Sequence, residues 1–349
     1  MHPAQPASQA FPTQTDHQPT GSVLVIGACN TDIVASTHEP LRSGDSVPGH
    51  VALRPGGVAR NVAHNLAALH LHTQLLSVVG DDWLGQLLLL ACQQAHIDTA
   101  GVHTVAGVAS ASYVTVHDAT GDTAVAINAM DALAHMTPTW LQRSAAQLSQ
   151  ASALVVDCNL AQDSLAWLCN NYAHLPIFVD GVSTTKVRRL IGLEANIHTL
   201  KINALEAGVL CARSCETPAQ AKQCAQVLHA VGCQRVLISL GSQGFTWSTA
   251  DAHPDTQAYW IKPALVDTAP ARNDAGTSHG TQVNTTGAGD ALLSGLVYGF
   301  MHQLDTQQTL HIANACAAIT LQSTHANHPQ LSRAWVHTIA STQPTPAYL

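Results

Sequence analysis

The feature that most constrains this chain is a repeat of short, continuously apolar runs separated by segments of helical length. "SVLVIGA" (22–28), "TQLLSVVG" (73–80), "ALVVDCN" (153–159), "PIFVDG" (176–181), "IHTLK" (197–201) and "RVLISLG" (235–241) are runs of this kind. An apolar run that does not alternate in period two fits a strand buried on both faces, and such strands belong to parallel sheets covered by helices on either side. Helical patterns over 57–69, 83–95, 139–149, 163–173 and 217–230 supply the covers. The expected fold is therefore an α/β sandwich around a mainly parallel sheet. Two stretches depart from the rhythm. Residues 33–54 are extended and punctuated by Gly and Pro, and "SASYVTVHDATGDTAVAIN" (110–128) reads as two alternating strands around a turn. Together they predict a small second sheet projecting as a lid.

Composition removes several function classes. The chain has 349 residues and is 46% hydrophobic, enough for a large core, yet only 10% of it is charged and the formal net charge is -8. No basic stripe is present to follow nucleic-acid phosphates or an anionic membrane surface. No apolar run approaches the roughly 20 residues of a membrane span, and residues 1–20 have neither a basic region nor an apolar core of the secretory type. They read as a flexible tail on a cytoplasmic protein, with residues 21–349 as the folded domain. The nine cysteines form no CxxC pair and lie in apolar stretches such as "VVDCNL". The 21 histidines are scattered without a compact ligand spacing, so surface and core placement outweighs metal binding.

In open parallel sheets ligands bind beyond the carboxyl ends of the strands. Those ends are repeatedly polar here: Asn30 and Asp32, Asp157 and Asn159, Asp180, then Lys201, Asn203 and Glu206. Taken singly, each fits a helix cap or a turn former. Their recurrence points to a site. Near the C-terminal end, "NTTGAGDALLSG" (284–295) places Gly287, Ala288 and Gly289 at the mouth of a predicted helix, where unpaired backbone N–H groups and the positive end of the dipole form an anion hole. Asp290 in the first turn could merely complement the dipole. Beside an anion hole it has a sharper use, accepting the proton of a substrate hydroxyl while that oxygen attacks a phosphoryl group held by the N–H groups. No G-x-x-x-x-G-K-[ST] loop occurs, and Gly287–Gly289 lacks the third glycine of a dinucleotide fingerprint.

"NTTGAGD" resembles the C-terminal signature of the ribokinase-like (PfkB) carbohydrate and nucleoside kinases, and "RPGGVARNVAHNLAAL" (54–69) resembles their N-terminal Gly-Gly signature. The resemblance covers about residues 21–342. "SASYVTV", "TGDTAVAIN", "VVDCN", "FVDGVS" and "IHTLKINALEA" are most similar to the pseudouridine kinase subgroup. It implies a ribokinase-like three-layer sandwich with a β-sheet lid, and an ATP- and Mg²⁺-dependent phosphotransferase that acts on an alcohol group, with room for a monovalent cation such as K⁺. By the same resemblance Asn30, Asp32, Gly56, Gly57 and Asn61 hold ribose hydroxyls, and Asn128 contacts the nucleoside from the lid. Asn203 and Glu206 match an Asn-x-x-Glu motif whose carboxylate organises Mg²⁺ through water. Ser239, Gly241 and Gly244 match the nucleotide loop, Asn314 the helix flanking adenine, Asp290 the general base, and Gly287–Gly289 the anion hole.

The subgroup carries a carboxylate directly after the lid asparagine. This chain has Ala129 there, with Asp131 as the candidate replacement. Gly181 and Ile202 stand where Pro is usual, and residues 266–284 read as a polar surface insertion. The expected activity is phosphorylation of the ribose 5′-hydroxyl of pseudouridine by a homodimer that closes over the sugar with its lids. The alternatives are a related nucleoside or sugar kinase and a non-catalytic nucleoside sensor.

Overall fold

Residues 21–250, 258–266 and 286–349 are described by a computed structural model. The predicted tail (1–20) and nearly all of the predicted insertion, with Asn284 and Thr285 of the glycine motif, lie outside the described residues. In chain order the elements are β1 (Ser22–Ile26), β2 (Asn30–Thr37), β3 (Gly49–Gly56), α1 (Val58–Ala68), β4 (Thr73–Gly80), α2 (Trp83–Gln94), β5 (Asp98–Val105), β6 (Ser112–His117) and β7 (Thr123–Ala129). The middle of the chain follows with α3 (Pro138–Gln142), α4 (Ala145–Gln150), β8 (Ala151–Asp157), α5 (Gln162–Asn171), β9 (Ile177–Asp180), β10 (Thr199–Asn203), α6 (Ala204–Cys211), α7 (Pro218–Ala230) and β11 (Arg235–Ser239). The last elements are β12 (Phe245–Thr249), β13 (Ala258–Ile261), α8 (Ala288–Met301), α9 (Thr306–Thr320), α10 (Arg333–Ser341) and β14 (Ala347–Tyr348). None of the described helices is long and apolar enough to cross a membrane.

The main sheet has ten strands in the order β14-β13-β12-β11-β10-β9-β8-β1-β4-β5. It is parallel from β11 to β5 and antiparallel across β11-β12-β13-β14. Alternation along each central strand divides the core into two layers. Leu24 and Ile26 of β1 pack with Leu154 and Val156 of β8 beneath α5 and α7, whereas Val23, Val25, Ala153 and Val155 pack on the other side with α1, α8 and α9. A three-layer sandwich results. Connections run from β1 through β4 to β5 in one direction and from β8 to β11 in the other, so the order reverses between β1 and β8, where a crevice is expected at the carboxyl ends.

That crevice is pinned by Asp157. Its Oδ2 accepts the N–H groups of Ala28, just past β1, at 2.9 Å and of Ala59, in the first turn of α1, at 3.0 Å. Its Oδ1 accepts the Asn159 N–H at 2.8 Å. Burial raises its carboxyl pKa against these three hydrogen bonds. Gly57, the N-cap of α1, has φ 97°, and a Cβ there would meet the Ala28 carbonyl oxygen at 2.3 Å. A glycine is needed for both reasons.

The second sheet has the order β3-β2-β6-β7, antiparallel except for the parallel β2-β6 pair. Its register separates two kinds of row. Arg54, Asp32, Tyr113 and Asn128 are aligned on one face; Leu53, Ile33, Val114 and Ile127, followed by Val51, Ala35, Val116 and Val125, are aligned on the other. The apolar rows are half-buried along β2 and β6 and open along β3 and β7, with Val51 60% and Ile127 58% exposed.

Three expectations need adjustment. The helix predicted over 139–149 is divided into α3 and α4, with Ser144 as the N-cap of α4. β8 and β10 are displaced by two residues from the predicted runs, because the flanking Asn159 and His198 take turn and loop roles. β5 and β12–β14 have no counterpart among the predicted strands: "DTAGVHTV" is interrupted by Gly101, and "FTWST" and "AYWI" are short and lack clean alternation.

Asp157→Ala would leave three amides without their acceptor at the centre of the fold. The expected loss is on the order of 3 kcal/mol of unfolding free energy, read by chemical denaturation.

Candidate functional site

The head of α8 is set by Gly287, which takes φ 85° as N-cap and packs so tightly that a Cβ would meet the Ala326 carbonyl oxygen at 2.0 Å. The first bond back along the helix joins the Ala291 N–H to the Gly287 carbonyl at 2.9 Å. The amides of Ala288, Gly289 and Asp290 therefore precede any intrahelical acceptor and carry the positive end of the dipole. Beneath them is a cation. A Cβ on Gly289 would come within 2.3 Å of Lys201 Nζ, and that ammonium is buried and paired with Asp180 Oδ2 at 2.9 Å. Burial works against the Lys201 charge, but Asp180, Asp290 and Glu206 outweigh it and raise its pKa, so it stays protonated. An ammonium next to a helix N-terminus is a concentration of positive charge suited to an anion.

Asp290 stands at the edge of this field, 8% exposed. Its Oδ2 accepts from Asn61 Nδ2 at 2.9 Å, which brings the N-terminal and C-terminal motifs into direct contact. Burial first, then the Asp180 carboxylate, push its pKa from 3.8 to about 7, against the pull of Lys201 and Asn61. A carboxyl with that value can take up a proton near neutral pH and release it again.

Among the residues expected to hold the ribose, Asn30 Nδ2 donates to Asp32 Oδ1 at 2.8 Å, at the root of β2 beside the Gly56–Gly57 turn. Burial raises the Asp32 carboxyl pKa, with the Asn30 hydrogen bond and the Arg60 and Arg54 charges opposing it. Asn128 is exposed on β7 in the same row as Asp32, with Tyr113 between them. Ala129 pairs with Ser112 in the next row, which faces the opposite side of the sheet. Asp131 leaves the strand altogether and opens a short 3₁₀ turn, Asp131–His135.

Among the residues expected to hold the nucleotide and its metal, Asn203 and Glu206 form a reciprocal capping box on α6: Glu206 N–H donates to Asn203 Oδ1 at 2.9 Å, and Asn203 N–H to Glu206 Oε2 at 2.9 Å. The Asn203 amide also donates to Oε1 at 2.7 Å, and burial raises the Glu206 pKa. The helix-cap role and the strand-end position are thus both realised. Ser239 ends β11, and Gly241 and Gly244 bracket the 3₁₀ turn after it. Asn314 spends its amide on structure, donating to Lys262 O at 2.9 Å and Gln343 Oε1 at 2.7 Å while its Oδ1 accepts from Ala264 N–H at 3.3 Å. It braces the 262–264 segment.

Several residues assigned no role from sequence belong to this region. Lys201 and Asp180 appear there only as polar strand ends. Lys186 Nζ donates to Asn159 Oδ1, and Arg189 Nη1 donates to the carbonyls of Cys158, Asn159 and Leu160, each at 2.9 Å, fixing the loop after β8. Asn327 joins α1 from a distance of more than 260 residues, donating to Asn61 O at 2.9 Å and Asn65 Oδ1 at 2.8 Å. Nothing in local sequence pattern signals such a contact.

The sequence profile of the pfkB family carbohydrate kinases matches residues 20–333. The chain is 33% identical to the pseudouridine kinase of Escherichia coli K12 over 310 residues, 89% of this chain and 93% of that protein. It is 32% identical to an uncharacterized sugar kinase of the same strain, over 88% of this chain and 80% of that protein. Its fold is similar to that of Arabidopsis thaliana ribokinase complexed with ribose and ATP, with a TM-score of 0.78 at 20% identity, covering 93% and 99% of the two chains.

The Asp290 environment has a measurable cost. Its pKa is about 7 in the fold against 3.8 for the ordinary side chain, so the folded chain holds the proton more tightly, and ionisation removes stability as pH rises from about 4 to about 7. Asp290→Asn cannot ionise. Its melting temperature should exceed that of the wild type at pH 8 and approach it at pH 4, checked by calorimetry across that range.

Proposed function

Because the chain belongs to the PfkB family of carbohydrate kinases, phosphotransferases with an alcohol acceptor, we propose that it transfers the γ-phosphoryl group of ATP to the ribose 5′-hydroxyl of pseudouridine. The observation that carries this reading is one buried carboxylate, Asp290, beside helix-head amides that precede any intrahelical acceptor and a buried ammonium. Asn61 engages Oδ2, which leaves Oδ1 for the acceptor hydroxyl. As that oxygen attacks phosphorus, its proton passes to Asp290, and the amides of Ala288 and Gly289 with Lys201 stabilise the charge on the transferring group. A sensor would need neither the base nor the cation.

The residues fit a magnesium nucleotide. Glu206 is buried, and the N–H groups of Asn203 take one lone pair on each of its oxygens, leaving others to accept from the water shell of a hydrated Mg²⁺. When bound, Mg²⁺ neutralises charge on the β- and γ-phosphates. Asn30, Asp32 and the Gly56–Gly57 turn are assigned to the ribose, Ser239, Gly241 and Gly244 to the nucleotide loop, and Asn314 to positioning the segment beside it. A cytoplasmic location, where ATP and free nucleosides meet, goes with this reading.

Support for pseudouridine among possible acceptors comes from the 33% identity to a pseudouridine kinase and from the polar lid row of Asp32, Tyr113 and Asn128. Ala129, and the similarity to a sugar kinase at 32% identity, favour a free sugar as the second reading. Pseudouridine carries a base N1–H that uridine lacks, and an acceptor built for it goes unpaired with uridine, at a cost of about 1–3 kcal/mol or tenfold or more in discrimination. An ADP-release screen with pseudouridine, uridine, inosine, adenosine, ribose and fructose should give the highest kcat/KM for pseudouridine. The Asp131→Ala variant should narrow its margin over uridine. Equal values for the two nucleosides would reject pseudouridine and leave the kinase standing. Asp290→Asn should retain binding and lose about 10²- to 10⁴-fold in turnover. In the wild type kcat/KM should decline below about pH 7, as the base becomes protonated.

The apolar lid rows need a cover, and a second copy offers matching rows. We expect a homodimer by light scattering at micromolar concentration and a shift to monomer in Ile127→Asp; a monomeric wild type would count against a lid-mediated pair.

A further inference from the structure

Arg60 is buried at the head of α1, and among the described residues no carboxylate forms an ion pair with it. Burying a guanidinium on those terms is costly unless its hydrogen bonds are worth the desolvation. Its Nη1 points into neutral oxygens: Asn327 Oδ1 at 2.7 Å, Asn61 Oδ1 at 2.9 Å and Pro55 O at 3.1 Å. Its Nη2 meets His64 Nδ1 at 3.0 Å. The contact to Asn61 has a directional consequence. With Oδ1 committed to an obligate donor, the Asn61 amide can present only its NH₂ to its other neighbour, Asp290.

We propose that Arg60 is a positioning residue for phosphoryl transfer, locking the Asn61 amide so that it donates to Asp290 Oδ2 and leaves Oδ1 directed at the acceptor hydroxyl. Without the guanidinium, Asn61 Oδ1 is a buried acceptor in search of a donor and the amide is free to turn. The same guanidinium holds Pro55 at the end of lid strand β3 and Asn327, which follows Ala326, the residue against Gly287. One side chain therefore sets the base relative to both the lid root and the anion hole. The inference rests on Asp290 being the base.

The groups that face Asp290 are Asp180, Lys201, Asp157 and Asn61, and those around Arg60 are His64, Asp32 and the thiols of Cys29 and Cys92. The test follows the Asp290 carboxyl by ¹³C NMR in the full chain labelled at aspartate Cγ, with the resonance assigned by its loss in Asp290→Asn. Asn61→Ala should move the titration upward by about half to one pH unit because a donor to the ionised form is lost. Arg60→Met should move it in the same direction, and the double variant should move no further than Asn61→Ala alone. The kcat of Arg60→Met should fall about tenfold with the KM for ATP within about twofold. Arg60→Lys keeps the charge without the planar fork and should show a smaller shift; it also carries the test if the Met variant does not fold. An unmoved titration in the Arg60 variants, or shifts that add in the double variant, would overturn the positioning role while the base stands. Wild-type turnover in Asp290→Asn would overturn the base, and this inference with it.

Discussion

The site depends first on a carboxylate that does no chemistry. Asp157 joins the end of β8, the turn after β1 and the head of α1 at the place where strand order reverses. In an open sheet that reversal leaves a crevice, and the Arg60 N–H, donating to Ala28 O at 3.1 Å, adds a second tie between the β1 turn and α1. A single carboxyl group accepting from three amides fixes their relative position. Asn30, Asp32, Gly57 and Asn61, proposed to hold the substrate, are all positioned by those segments. Cys29 and Asn30 continue from Ala28, and Arg60 and Asn61 from Ala59, so the clamp's geometry is inherited by the site two residues later.

The second constraint is charge held in a nearly dry place. Asp157, Asp180, Glu206 and Asp290 are buried around the carboxyl ends of the strands, with Lys201 as the cation among them. Such a cluster cannot be fully ionised without cost: burial raises the carboxyl pKa of Asp157, Glu206 and Asp290, and at Asp290 the Asp180 carboxylate adds to burial and brings the pKa to about 7. The resulting value near neutrality is what a general base requires. It is produced by the same arrangement that stores positive potential under the helix head, so the proposed base and the proposed anion site are two outcomes of one distribution of charge.

Much of this was legible in the sequence, for physical reasons. Doubly buried strands have an unmistakable apolar run, and β1, β4, β9 and β11 follow their runs closely. Gly287 and Gly57 were legible because special backbone angles and close packing admit little else. The Asn61–Asp290 contact joined two motifs that sequence could only set side by side. What could not be read is of three kinds. Edge strands β5 and β14 lack the double burial that gives the signal, β12 is buried but short and mixes Thr and Ser with Phe and Trp, and long-range polar contacts such as Asn327 with α1 leave no periodic trace. Asn314 shows a third limit: a polar residue at a family position was legible, but its role as a brace for 262–264 depends on partners far along the chain.

The lid shows how parity decides what a substitution means. Asn128 and position 129 are adjacent in sequence but point to opposite sides of the sheet, Asn128 in the row of Asp32 and Ala129 in the row of Thr31 and Ser112. A carboxylate at 129 would therefore address a different surface from the one that Asn128 serves. That row continues the side on which Ile33 and Val114 are half-buried and Leu53 and Ile127 lie open. Alanine in place of a carboxylate removes a charge from the margin of an apolar face. On this view the departure at 129 bears first on what the lid packs against and only through that on the nucleoside, whereas Asp131, beyond the strand end and free of its alternation, is not bound to either face.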